Sequence, residues 1–545
     1  MAHFYMNRRQ MMVGGVSLLG ALQLSSASRA QKATSVETKT KFGALRGKVE
    51  DGVAKFLGVP YAEAPVGALR FKAPQPLVPW SDVRDAVAFG NPSLQGPGQE
   101  MGPKGNGRMP APSEDCLYLN IWTPAVDGKK RPVMFYNHGG GYMIGSGSAT
   151  AQDGSALARL YDVVVVQSNH RLGALGYLFL ADIAGSDEFA ANQGMLDIAA
   201  ALTWTSENIE NFGGNPDNIM VFGESGGGAK TGCIYTMPGA ATLFHKASIE
   251  SSAPRSLATR DGATERARIT LKNLGIAATD LSKLYDVSPD VLLKAQGADM
   301  GMGEAPWFEN PPVPGLGAFV DGKIIPRNPF AQGVAPSSAD KPLMVGTCRD
   351  ELVFFALFGP PDIFSLNTAG LPKALATQMS PDLVDPAIAA FRASRPEATP
   401  AQLYFAITTS PIVRDSVRIA EAKVAQAAAP VYSYQLTYHS KVKAPGSEFE
   451  LGSPHASDIS MKFNTPETGK DFFFGMDQTP ERYQTAKNMS ALWASFAHNG
   501  KPGVDGLPDW PAYNLESRPT MWIDAECKVV NDPDPLERAF WTGKA

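Results

Sequence analysis

The sequence predicts an α/β fold, a mostly parallel central sheet flanked by helices with large cap insertions over the carboxyl ends of its strands. Three observations carry this. First, short apolar runs bounded by turn signals recur: PVMFYN (132–137), DVVVVQS (162–168), IMVFG (219–223), KASIESS (246–252), PLMVGT (342–347) and VYSYQLTY (431–438). Continuous apolar runs of this length suit parallel strands buried on both faces. Second, helical segments fall between them. The clearest, MLDIAAALTWTSENIENF (195–212), is amphipathic and stopped by Gly213-Gly214. Third, segments 253–340 and 350–430 are far longer than a βα connection needs, and are punctuated by Pro and Gly and partly helical. They are expected to roof the crevice outside the strand ends, where open α/β sheets bind ligands. A late run, PTMWIDA (519–525), is expected to add an edge strand.

At 545 residues and 44% hydrophobic, the chain has material for a large core, and 31–545 reads as one elaborated domain. A net charge of −5 without a basic cluster argues against nucleic acid as a partner. Four cysteines (Cys116, Cys233, Cys348, Cys527) form no disulfide framework and fit no zinc spacing, and the seven histidines include no HExxH. No metal and no cofactor are expected. At the N-terminus, Arg8-Arg9 precede a mildly apolar run (11–24) and Ser28-Arg29-Ala30, with small residues at −3 and −1. Residues 1–30 therefore read as a twin-arginine-like signal peptide, too short and glycine-containing to span a bilayer stably, which predicts a periplasmic or secreted enzyme.

The stretch VFGESGGGAKT (221–231) admits two incompatible readings. A phosphate-cradling loop needs G-x-x-x-x-G-K-[ST]. Counting from Gly223, the second glycine is Gly228, but Ala229 follows and Lys230 comes one position late. On a helix that rotates it by about 100°. The alternative, G-x-S-x-G after a buried strand, puts Ser225 on a sharp strand-to-helix turn as a nucleophile.

A serine hydroxyl is a poor nucleophile until a base takes its proton, so this reading requires a histidine, an orienting carboxylate and oxyanion donors. NHGGGY (137–142) follows an earlier strand and offers the N–H groups of Gly140 and Gly141, with that of Gly226 directly after the nucleophile. Asp350 and Glu351 both stand just past the strand PLMVGT, and spacing does not choose between them. Of the downstream histidines, His245 is too close to the nucleophile and precedes any plausible acid. His498 sits where a helix C-terminus gives it an ordinary structural role. His439, ending a strand, and His455, in a loop, remain even on pattern.

Several motifs in order choose between them. FLGVPYAEAPVGALRF (56–71), EDCLYLNIW (114–122), NHGGGY (137–142), NHRLGALGYL (169–178) and NQGMLD (192–197) come first. LTWTSENIENFGGNPDNIMVFGESGGG (202–228), GTCRDE (346–351) and GSPHASDI (452–459) complete the set. Together they resemble the type-B carboxylesterases, the family of bacterial para-nitrobenzyl-type esterases, animal carboxylesterases and cholinesterases, across most of the chain. The resemblance implies an α/β-hydrolase fold and a triad of Ser225, Glu351 and His455. It also implies Gly140, Gly141 and Gly226 as oxyanion donors and Ser251 as a serine supporting the acid. Glu224 beside the nucleophile is normal for the family and does not indicate cation binding.

The sequence departs from the family in three places. The cysteine that usually pairs with the one in EDCLYLN falls in FGNPSLQ (89–95), which carries Ser93 instead, leaving Cys116 without that partner. Gly226 replaces a common alanine, which keeps the N–H and is expected to loosen the turn. The tryptophan with which cholinesterases stack a cation has no aromatic counterpart in GPKGNGRMPAPS (102–113).

The implied activity is hydrolysis of small-molecule carboxylic esters, hydrophobic or aromatic, through an acyl-enzyme. Activity is expected to rise through an ionisation near the free-imidazole value of about 6.5. Tyr142, Met143 and Ile144, with Phe354, Phe355 and Phe358, are candidates for an apolar cleft. The rival readings are hydrolysis of a related acyl bond (amide, carbamate or thioester) and a non-catalytic cholinesterase-like binding protein.

Overall fold

The computed structural model of the chain describes residues 34–96, 110–252, 256–297, 315–468 and 477–541. The leader expected at 1–30 lies outside them, as does most of the 102–113 stretch. In chain order the first strands are β1 (Thr34–Lys39), β2 (Ala44–Glu50), β3 (Val53–Pro60), β4 (Arg84–Asp85) and β5 (Tyr118–Thr123). There follow β6 (Arg131–Asn137), β7 (Val164–Ser168), β8 (Gly214–Glu224) and β9 (Lys246–Glu250). A short pair, β10 (Ala258–Thr259) and β11 (Phe319–Val320), precedes β12 (Leu343–Cys348) and β13 (Val431–Leu436). A second pair, β14 (Ser440–Lys443) and β15 (Glu450–Gly452), precedes β16 (Pro519–Ile523) and β17 (Lys528–Asn531).

One large sheet runs β1-β2-β3-β5-β7-β6-β8-β9-β12-β13-β16-β17, with β4 alongside β2. From β7 to β16 every pairing is parallel, as the apolar runs predict. The first margin, β1 to β7, and the last, β16 with β17, are antiparallel. The central strands are buried throughout, including all of β6, β7, β9, β12 and β13. Their two faces feed two separate cores, one containing Val133, Phe135, Val221 and Ile249, the other Met134, Tyr136, Phe222 and Trp493. Alternate residues along one strand thus enter opposite layers.

Three sequence expectations need correction. The run at 519–525 is an inner strand, because KVVN (528–531) folds back antiparallel and takes the edge. The helix expected at 195–212 starts at Gln193 and ends at Asn208. A tight turn, Ile209–Phe212, follows, and Gly213 at φ +79° stops it. Segment 350–430 is not all roof. Its last part is a long helix, Pro400–Gln426, started by Thr399 and Gln402 in a reciprocal capping box. This helix packs on β12 and β13 as their crossover, and its first half also packs against the helices Leu371–Leu375 and Pro381–Ser394.

The two motifs NHRLGALGYL and NQGMLD meet in a buried ion pair. Arg171 donates to Asp197 through Nε (2.8 Å) and Nη2 (2.7 Å), and its backbone N–H adds a third bond at 3.0 Å. Both side chains are shut away from solvent. Removing one partner strands a charge, so Asp197→Ala is expected to lower stability by about 3–5 kcal/mol. The check is a lowered urea midpoint at unchanged slope.

Candidate active site

The site is built where β8 turns into the helix Gly226–Ile234. Ser225 sits between them at φ +59°, ψ −125°, a conformation that non-glycine residues rarely adopt. Its backbone N–H donates to the Glu250 carbonyl of β9 at 3.0 Å. The turn is tight because glycines let backbones touch. A Cβ on Gly223 would lie 2.5 Å from the backbone of Gly227, and one on Gly227 would lie 2.0 Å from the Asn137 carbonyl. Asn137 Nδ2 in turn donates to Thr231 Oγ1 on the helix, 3.0 Å away. In this elbow Glu224 and Gly226–Gly228 are buried, while Ser225 keeps partial exposure. Ser225 Oγ has no hydrogen-bond partner among the described residues.

Lys230, the residue that gave the phosphate-loop reading, faces no open loop. It is buried, and its Nζ donates to the His138 carbonyl at 3.0 Å, at the root of the glycine loop. Burial pushes its ammonium down to about 7. The loop itself turns at Gly140 (φ +83°) and Gly141 (φ +59°) and is closed by Ile144 N–H on the Gly140 carbonyl at 3.1 Å. The N–H groups of Gly140, Gly141 and Gly226 donate to no described residue. A Cβ on Gly226 would lie 2.3 Å from the Gly141 nitrogen. The missing methyl group therefore does not leave the turn loose, contrary to the sequence expectation; the Gly141 backbone fills its space.

Between the two acids, geometry separates what spacing did not. Asp350 caps the helix Glu351–Ala356, and its Oδ2 accepts the Ser453 N–H at 2.9 Å, so it is spent on the loop. Glu351 Oε2 lies 2.5 Å from His455 Nδ1, and its Oε1 accepts the Cys348 N–H at 2.8 Å. Both Glu351 and His455 are buried. The remaining candidates are occupied elsewhere. His439 Nε2 pairs with Glu450 at the surface, His245 Nδ1 accepts the Ile219 N–H, and His498 Nε2 bonds the Tyr161 carbonyl. Ser251 Oγ reaches Cys348 Sγ at 4.0 Å rather than Glu351, so it touches the acid only through its neighbour. Ser93 Oγ accepts the Leu172 N–H at 3.1 Å, and Cys116 is a buried free thiol.

His455 Nε2, the nitrogen facing away from Glu351, lies 3.3 Å from Glu224 Oε1 without hydrogen-bond geometry, and both atoms are otherwise unpartnered. Burial disfavours the imidazolium, yet the carboxylates of Glu224 and Glu351 outweigh it and hold His455 above its ordinary value. Burial is the largest influence on Glu224 and raises it to about 8. These shifts compete, since a protonated Glu224 exerts no charge on His455. The upward direction for His455 survives because Glu351 bonds it directly. The expectation of an ionisation near 6.5 is corrected upward.

Of the apolar candidates, Phe355 and Phe354 flank the His455 ring at centroid distances of 4.9 Å and 5.9 Å. Phe358 is largely exposed, while Met143 and Ile144 belong to the core. Sequence reasoning missed the buried charges behind the site. Lys462 bonds both Glu250 and Asp458 (2.9 Å to the latter), and Trp493 Nε1 donates to Glu250 at 2.6 Å. Glu250 within the otherwise strand-like KASIESS was the available signal. Among the described residues no group of three or more His, Cys, Asp and Glu is placed to hold a metal ion. Gly227→Ala forces its methyl group into the Asn137 carbonyl, and is expected to lower stability by at least about 1–3 kcal/mol. Thermal unfolding of the variant is the check.

Residues 32–541 match the Carboxylesterase family. The chain is 35% identical over 502 residues to the para-nitrobenzyl esterase of Bacillus subtilis (strain 168), covering 92% of this chain and 97% of that one. To the phenmedipham hydrolase of Pseudarthrobacter oxydans it is 32% identical, with coverages of 90% and 96%. Among solved structures, a Geobacillus stearothermophilus carboxylesterase superposes with a TM-score of 0.79 at 35% identity, covering 93% of this chain and 99% of that one. With this sheet order and this elbow, the matches along almost the whole length establish that the chain is an ester-hydrolysing enzyme belonging to the carboxylesterase family.

Proposed function

We propose that the enzyme cleaves hydrophobic or aromatic carboxylic esters through an acyl-enzyme on Ser225, with His455 as base and Glu351 as its orienting acid. The observation that carries this is the 2.5 Å contact between His455 Nδ1 and Glu351, together with a partly exposed Ser225 on a strained turn whose neighbour Glu224 lies 3.3 Å from His455 Nε2. In this reading His455 takes the Ser225 proton as Oγ attacks the ester carbonyl. The imidazolium that forms is stabilised by Glu351, which keeps the ring in one tautomer. The unpartnered N–H groups of Gly140, Gly141 and Gly226 receive the developing oxyanion, and removing one such donor typically costs about 10²–10³ in rate. The alcohol departs with the proton from His455, and water repeats the sequence on the acyl-enzyme. Preference for aromatic esters is supported by Phe354 and Phe355 beside His455, and by the relative named for para-nitrobenzyl ester hydrolysis. The small residues Ser28 and Ala30 and the Arg8-Arg9 pair support export to the periplasm or beyond.

On para-nitrophenyl butyrate, Ser225→Ala is expected to lose about 10⁴–10⁶ in kcat. Its unfolding temperature should stay near that of wild type. A para-nitroanilide of the same acyl chain should turn over far more slowly than the ester; comparable turnover would move the assignment to an amidase.

The reaction needs neutral His455, and its pKa is raised, so activity is lost as pH falls through a value above about 6.5. Glu224→Gln removes the first of the three carboxylates, Glu224, Glu351 and Asp458, that raise it. The acid limb of kcat/KM should therefore move to lower pH. A limb that stays in place would assign the shift to Glu351 and Asp458.

A further inference from the structure

A cavity of about 360 Å³ lies between the crossover helix Pro400–Gln426, the strands β12, β13 and β16, and the C-terminal helix Pro535–Trp541. None of Ser225, Glu351 or His455 lines it. Its strand wall changes character along its length. On the face that begins with Leu343, Val345 and Val431 in the core, the next residues on the same side are Thr347 on β12 and Ser433 and Gln435 on β13, and Arg349 stands in the turn just past β12. Polar side chains in the middle of a parallel sheet are costly unless something satisfies them. Three polar atoms on the lining have no hydrogen-bond partner among the described residues: Ser416 Oγ on the helix, Gln435 Oε1 on β13, and Tyr434 Oη, whose ring belongs to the opposite core; all three residues are more than nine-tenths buried.

Most charges of the lining are paired with one another. Arg518 is matched by Glu421, Arg538 by Asp532, and Arg395 by Glu537 and Asp534. Arg414 and Arg418 both pair with Asp415. Arg349 has no carboxylate within ion-pair distance among the described residues; its guanidinium lies 5.2 Å from the Trp522 ring centre. Guanidinium is a planar, permanently charged fork that matches an oxyanion through paired N–H groups. The geometry points to a second binding site in this cavity for a small oxyanion, a carboxylate or a phosphate. In it Arg349 meets the charge, and Ser416 and Gln435 (through either end of its amide) close the neutral end.

The test is isothermal titration of the whole protein with inorganic phosphate and, separately, with benzoate, at ionic strength held constant with chloride. At least one anion is expected to bind saturably, and Arg349→Gln should weaken it tenfold or more. Ser416→Leu, which fills the neutral end without touching a charge, should weaken it comparably and stands in should the first variant fold poorly. Saturation by phosphate alone assigns the site to the inorganic ion, and by benzoate alone to an organic acid. Titrations in which neither anion saturates, or folded variants that bind as wild type does, overturn the proposal.

Discussion

Everything chemical in this protein depends on one backbone conformation. Holding Ser225 at positive φ costs on the order of 1–3 kcal/mol, and such a conformation persists only where its surroundings over-determine it. Here they do so on three sides. The Glu250 carbonyl fixes the Ser225 N–H from β9, the Asn137 carbonyl presses against Gly227 from β6, and the helix beginning at Gly226 fixes the exit. The same turn delivers the Gly226 N–H beside the glycine loop. The exposed serine and the proposed oxyanion donors are thus consequences of a single strained junction in the middle of the sheet.

Electrostatics is arranged around that junction with an instructive difference between its parts. Behind it, the buried charges are bonded to one another: Arg171 to Asp197, and Lys462 to Glu250 and Asp458. At the site itself the polar atoms Glu224 Oε1 and His455 Nε2, with Asp458 Oδ1 nearby in the chain, are left without hydrogen-bond partners. Unsatisfied buried groups are rare in folded proteins and call for an explanation. A site that must accept a proton and exchange it with a substrate needs that unused capacity. Lys230 illustrates the opposite solution, a buried cation spent on one backbone carbonyl beneath the loop.

Much of this was legible in the sequence, and for physical reasons. Central parallel strands are buried on both faces, so runs such as DVVVVQS and IMVFG declare themselves by unbroken apolarity. The elbow and the glycine loop were readable because their tight backbone contacts restrict them to glycine. What was missed had no such one-residue signature. The antiparallel edge strands β1 and β2 are only partly buried and read as ordinary mixed sequence. KVVN (528–531) is too short to announce an edge strand. The Pro400–Gln426 helix carries an internal Pro411, which made its segment look like punctuated insertion. Choosing Glu351 over Asp350 required either the resemblance or the coordinates, since adjacent residues differ only in where the loop Ser453–His455 meets them. The pairing of Glu250 with Lys462 spans 212 residues and lay beyond any local pattern.

The central claim, that the strained serine is the atom on which the acyl group is carried, is tested most directly by covalent trapping. The whole protein would be treated with a fluorophosphonate, digested, and the modified peptide located by mass spectrometry. The account predicts one label per chain, on Ser225, with esterase activity falling in proportion to labelling. It further predicts that His455→Ala is labelled far more slowly. A label on another residue, or full activity in protein labelled at Ser225, would contradict it.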